Sequence, residues 1–173
     1  GLLRRQRQMC IRDRPITAQS MGIMLCGTVL GAKRGALAVL LFITLTALGL
    51  PLLSGGRGGL GVFASPSVGF IVGFPLAAFV AGWITSKLKL INVFYSSLLG
   101  AVIGGILILY IPGIVGMSIM LDKSISEAAL IALIYLPGDC IKAFLCAMIT
   151  HTLFKLRPEN VLSRIYVNHN NQI

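Results

Sequence analysis

Five apolar runs, separated by short clusters of glycine, proline and basic residues, divide residues 15–156. The first enters through Pro15-Ile16-Thr17-Ala18-Gln19-Ser20 and continues to Leu30, where Gly31-Ala32-Lys33-Arg34-Gly35 closes it. A helix of about fifteen residues measures roughly 22 Å, less than the ~30 Å of a hydrocarbon core, so it is predicted to be short or to meet a thinned or polar region. The second run, Ala36 to Leu53, carries Gly49-Leu50-Pro51 near its end, and the proline predicts a helix exit there. The third opens at Ser65-Pro66-Ser67-Val68-Gly69-Phe70 and reaches Thr85. Along it Gly69, Gly73, Ala77 and Ala81 form a stripe of small residues at i, i+4 spacing, which lets membrane helices approach closely, and general packing is the role expected of it. The fourth extends from Ile91 to Ile111, with Pro112-Gly113 predicted to end it. In the connector that follows, Ser126 is expected to cap a short helix from Glu127 to Tyr135. Pro137 opens the last helix, which is predicted to end near Leu156, and the polar stretch from Lys155 to Ile173 is expected to be solvent-exposed and mobile.

Composition turns these runs into membrane helices. Hydrophobic residues make up 56% of the 173 positions, above the roughly 45–50% of soluble domains, and the mean hydropathy is +0.90. The chain is therefore read as a single all-α domain, a polytopic bundle with five transmembrane helices in the lipid bilayer of the cell membrane. A net charge of +10 raises nucleic acid as a partner, but a nucleic-acid binder needs a basic stripe on a soluble scaffold, and here the charges fall between apolar runs. Counted by loop, Lys33, Arg34, Lys87, Lys89, Lys155 and Arg157 share one side, predicted to be cytoplasmic, and Arg57 and Lys123 lie on the other. The segments Pro15 to Gln19, Ser54 to Gly61 and Pro137 to Lys142 then share the outer side. Residues 1–14 hold five arginines and one aspartate, a net +4 that the same count would place outside. No apolar segment with a cleavage site follows, so they are not a signal peptide. Their stretch from Arg4 to Asp13 resembles translated sequencing-adapter sequence, and residues 1–14 are expected to be non-native, with native sequence beginning near Pro15.

Cys10, Cys26, Cys140 and Cys146 form no C-x-x-C pair and have no histidine at ligand spacing, so no metal site is predicted. Cys26, Cys140 and Cys146 read as small hydrophobes. The Gly-rich stretch Ser54 to Gly61 lacks the G-K-[ST] of a phosphate-binding loop and follows no soluble strand. Candidate chemistry concentrates instead in Leu136-Pro137-Gly138-Asp139-Cys140-Ile141-Lys142. Pro137 suits a helix first turn, and Asp139 and Lys142, three apart, then share one face. Two roles stay open from spacing alone: the pair satisfies itself at a helix entrance, or it grips a polar ligand together. Acid–base catalysis by the pair would want a nucleophile beside a histidine, and none is apparent, so the chain is not read as an enzyme.

Leu-Pro-Gly-Asp-x-x-Lys at 136–142, Pro-Ile-Thr-x-Gln at 15–19, Leu-Gly-x-Lys-Arg-Gly at 30–35, Gly-Leu-Pro at 49–51 before the Gly-rich loop, and Gly-Phe at 73–74 together resemble the BioY family. Its members are the biotin-binding S components of energy-coupling-factor (ECF) transporters. The resemblance covers nearly all of residues 15–156. Ser65, Ser67, Val68 and Phe70 depart from the family's Gly-Pro-Thr-Gly-Gly-Tyr pattern while keeping a hydroxyl and an aromatic ring, and the family's Trp is missing near Gly113. The resemblance implies a six-helix fold whose first helix would occupy the place of the Arg-rich segment. It implies biotin as substrate, with Asp139 accepting from and Lys142 donating to the ligand, with Gln19, Thr17 and Arg57 as further binding candidates, and with the Gly-rich loop helping to cover the vitamin. It implies no cofactor, no ATP hydrolysis by this chain, and as partners a transmembrane T component and a pair of ATPases. The alternatives are an S component for another small vitamin, or a structural membrane subunit without ligand.

Overall fold

Every apolar run folds as a helix. The computed structural model describes residues 18–53 and 56–165; residues 1–14 with Cys10, the candidate Thr17, Ser54, Gly55 and the tail from 166 lie outside the described residues. In chain order the helices are α1 (Ala18–Leu30), α2 (Ala32–Ala47), α3 (Val68–Lys87), α4 (Val93–Leu121), α5 (Ile125–Leu133), α6 (Leu136–Leu156) and the single turn α7 (Leu162–Ile165). Helices α3 and α4 are each long and apolar enough to cross a membrane, and α5 and α6, bent by 53° at their junction, are so as a pair. Helices α1 and α2, at 13 and 16 residues, measure roughly 20 and 24 Å, short of a full crossing. The bundle presents apolar side chains outward, among them Leu37, Leu40 and Leu41 on α2, Leu48 at its C-cap, and Leu107, Ile111, Val115 and Ile119 on α4. Such faces suit lipid, and the architecture is that of a membrane helix bundle.

Small residues set how closely the helices approach. A Cβ on Gly104 of α4 would lie 2.5 Å from the Ala81 nitrogen and 2.6 Å from the Ala77 carbonyl oxygen of α3. Gly69 meets the Pro112 carbonyl, and Gly73 meets the Pro112 ring. The stripe Gly69, Gly73, Ala77, Ala81 is buried and is the contact line between α3 and α4, which is the packing role expected of it.

Four expectations from the sequence need correction. Pro112 does not end α4, which continues to Leu121 before Asp122 closes it in a left-handed conformation (φ 49°). The segment just upstream, Ile103–Ile108, is wound as a π-helix, and local rewinding of this kind, with a neighbouring helix packed on the ring, is how membrane helices accommodate proline. Helix α2 starts at Ala32 and ends at Ala47, because Gly31 (φ 85°) alone makes the turn from α1. The cap of α5 is Ser124, in a capping box with Glu127, with helix from Ile125. The polar stretch after α6 folds back in its described part: Val161 and Ser163 are buried, and the Ser163 hydroxyl donates to the Thr28 carbonyl at 2.5 Å.

That return defines one end of the bundle. Arg164 donates to the carbonyls of Lys89 (3.0 Å) and Ile91 (3.2 Å) and to the Ser96 hydroxyl, fastening the C-terminal segment to the α3–α4 connector. Thr28 and Thr150, both fully buried, meet hydroxyl to hydroxyl at 3.0 Å nearby. The α1–α2 turn, the α3–α4 connector and the end of α6 thus gather at one basic end. The α6 entrance lies at the other.

Candidate site at the entrance of helix α6

Helix α6 begins as its residues require. Tyr135 is its N-cap and Pro137 lies in the first turn, where an amide hydrogen would have no helical partner. Asp139 also falls in that turn, where the helix dipole favours a negative charge. One turn on, the Lys142 ammonium lies 2.9 Å from Asp139 Oδ1, with the two side chains only 12% and 10% exposed. A pair this shielded from solvent loses much of its hydration, and further hydrogen bonds must offset that loss.

Two other helices supply them. Ser20, near the start of α1, donates to Asp139 Oδ1 at 3.3 Å and accepts from Lys142 at 3.0 Å. Tyr110 on α4 donates its hydroxyl to Asp139 Oδ2 at 2.7 Å. Among the described residues the carboxylate thus receives three bonds of about four it can accept, and the ammonium uses two of its three hydrogens. Among the described residues one acceptor position, on Oδ2, and one ammonium hydrogen remain unused. Beside Ser20, the side-chain nitrogen of Gln19 is buried with no hydrogen-bond partner among the described residues. Unpartnered buried donors are uncommon and call for an explanation.

The aromatic arm of the site is held by packing. The π-wound segment adds to the residues per turn, shifting the face on which the residues after it lie, and Tyr110 is the second residue beyond it. Phe70 meets the Tyr110 ring edge to face at 6.0 Å, and Gly113 leaves the space that the Phe70 ring fills. Beneath the polar groups lies an apolar floor of Met24, Ala101, Ile106, Ala143 and Cys146, against which Met21, Tyr110 and Leu136 pack.

Of the residues singled out by sequence, the structure joins Asp139 and Lys142 directly, and Gln19 precedes their partner Ser20 in α1. Arg57 is exposed on the loop after α2, a loop anchored by a bond from the Gly59 amide to the Thr46 carbonyl (2.7 Å). Thr17 lies outside the described residues. Sequence reasoning missed Ser20 and Tyr110. Ser20 directly follows the Pro-Ile-Thr-x-Gln element, and Tyr110 is a polar-tipped ring inside an apolar run two residues before Pro112; both signals were present but weak.

Residues 8–159 match the family model described as the BioY family. The chain is 44% identical over 159 residues to the biotin transporter BioY of Rhodobacter capsulatus, covering 87% of this chain and 84% of that protein. Identity to the biotin transporter BioY of Rhizobium etli is 46% over 142 residues, 78% of this chain and 75% of the relative. Among solved structures, the crystal structure of the S-component for biotin from an ECF-type ABC transporter superposes with a TM-score of 0.77 at 34% identity, covering 82% of this chain and 76% of that one.

Proposed function

Because this chain belongs to the BioY family, we propose that it is the membrane-embedded, biotin-binding S component of an ECF-type vitamin transporter. It is a multi-pass protein of the cell membrane that captures substrate and leaves ATP hydrolysis to a partner ATPase pair coupled through a transmembrane T component. The observation that carries the reading is the shielded cluster of Ser20, Tyr110, Asp139 and Lys142 on an apolar floor. Biotin has an apolar body, a ureido group that both donates and accepts, and a carboxylate. In this reading Asp139 accepts from a ligand N–H, and Lys142 donates to the ureido oxygen or the carboxylate. Gln19 supplies a further donor, and Thr17 and Arg57 are further binding candidates. In this reading the chain acts as a receptor that holds biotin through hydrogen bonds and apolar contact.

Equilibrium binding of labelled biotin to detergent-solubilised protein tests the assignment. Asp139→Asn and Lys142→Ala are each expected to weaken binding by about 1.5–3 kcal/mol, the usual effect of removing a hydrogen bond to a charged group. Folded variants that bind like wild type would reduce the pair to a structural role, and absence of biotin binding by wild type would remove the reading itself.

A further inference from the structure

At the basic end, opposite the biotin site, Lys89, Phe154, Pro158, Glu159, Arg164 and Ile165 line a cavity of about 430 Å³. It brings two cations and one carboxylate to a single cleft, yet no carboxylate of the described residues forms an ion pair with Lys89 or Arg164. The opposite charges therefore face a common space without closing on each other. Arg164 is fixed in place by the carbonyls of Lys89 and Ile91, so its charge cannot swing out to solvent. Burial, and then the nearby Arg164 guanidinium, hold the Lys89 ammonium below the ordinary lysine range. Two cations held together in this way are relieved by an anion between them.

The setting of the cleft argues for a lipid. Ile165 of its lining is exposed, and so are Leu90 and Ile91, which follow Lys89 in the chain, and Leu156 at the end of α6, on connectors and helix ends where a soluble protein would place polar side chains. An apolar rim around fixed charges matches the boundary between headgroups and acyl chains. Glu159 bears on which headgroup fits, because a carboxylate in the cleft repels a purely anionic ligand and attracts a cation.

We propose that this cleft seats the headgroup of a phospholipid that carries both a phosphate and a primary ammonium, with the phosphate against Lys89 and Arg164 and the ammonium against Glu159. Phosphate recognition by cation pairs is well matched in charge and hydrogen bonding. A primary ammonium offers three N–H donors to the carboxylate, which a trimethylated amine lacks.

The test is lipid retention by the full chain in nanodiscs of defined mixtures of phosphatidylethanolamine, phosphatidylcholine and phosphatidylglycerol, read by native mass spectrometry after graded release. Wild type is expected to retain phosphatidylethanolamine in preference to the other two. Lys89→Ala is expected to reduce its retention about fivefold, the scale of a partly exposed charged contact. Lys89→Arg should keep it, and Glu159→Gln should abolish the preference over phosphatidylglycerol. Thermal unfolding of each variant checks that it is folded; both positions are solvent-accessible, so folded protein is the expected background. Equal retention of the three lipids, or a preference unmoved by either charge-removing variant, would overturn the proposal. Displacement of the lipid by millimolar inorganic phosphate alone would assign the cleft to a soluble anion and equally overturn it.

Discussion

Replacing Tyr110 with phenylalanine removes one hydroxyl and leaves the ring. The hydroxyl donates to Asp139 Oδ2 at 2.7 Å, and the ring keeps its edge-to-face contact with Phe70. Among the described residues, Oδ2 has this bond, whereas Oδ1 has two. Asp139 is 7% exposed, so solvent replaces the lost donor poorly. Loss of a hydrogen bond to a charged group then predicts destabilisation of about 1.5–3 kcal/mol. A carboxylate released from one of three anchors also presents its remaining lone pair less reproducibly, and biotin affinity is expected to fall by about tenfold, or roughly 1.4 kcal/mol. Both quantities are measurable on purified protein, the first from thermal or denaturant unfolding in detergent, the second from titration with biotin. A double-mutant cycle isolates the contact: in an Asp139→Asn background Tyr110→Phe should cost less than about 1 kcal/mol, because the charge it served is gone. Equal costs in the two backgrounds, or a Tyr110→Phe variant that melts and binds like wild type, would refute the role assigned to this hydroxyl.

Two further outcomes follow from packing and topology. Gly104→Leu is expected to destabilise by at least about 1–3 kcal/mol, because its Cβ would meet backbone atoms of Ala81 and Ala77 that cannot turn aside. Gly22→Ala, whose Cβ meets nothing within 4 Å, should instead be neutral or stabilising by roughly 0.5–1 kcal/mol, and unfolding midpoints compare the two. In a background lacking Cys10, Cys26, Cys140 and Cys146, cysteines introduced at positions 57 and 87 should label from opposite sides of the membrane; labelling from one side would contradict the antiparallel order of α2 and α3.

How far the sequence reached depended on the range of the interactions involved. The α6 entrance was legible because Pro137, Asp139 and Lys142 act within one helical turn, where spacing alone dictates which side chains meet. The small-residue stripe of α3 was legible for the same reason. Ser20 and Tyr110 escaped because they lie 119 and 29 residues from Asp139, and nothing local says which helices become neighbours. Tyr110 further depends on a π-wound segment that no periodicity in Ile103–Ile108 announces. Pro112 was misread because a proline rule describes an isolated helix, whereas here the ring packs against Gly73. The return after α6 was hidden in a polar stretch: Val161 and Ser163 go inward two apart, too short a signal to separate from a tail.

The ion pair of α6 lies within a single helix, three residues apart, and this bears on how the chain enters a bilayer. An unpaired aspartate or lysine opposes insertion by about 2.5–3.5 kcal/mol at the centre of a nascent segment, less toward its ends. Had the counter-charge resided on α1 or α4, the last segment would have had to wait in the translocation machinery, or at the lipid boundary, for a neighbour to arrive. Carrying its own counter-ion, α6 can partition as a segment with no net charge at its entrance, and docking against earlier helices then adds Ser20 and Tyr110 to a charge already compensated. Formation of the polar cluster thereby separates into insertion of a segment whose charge is already compensated and later docking against α1 and α4.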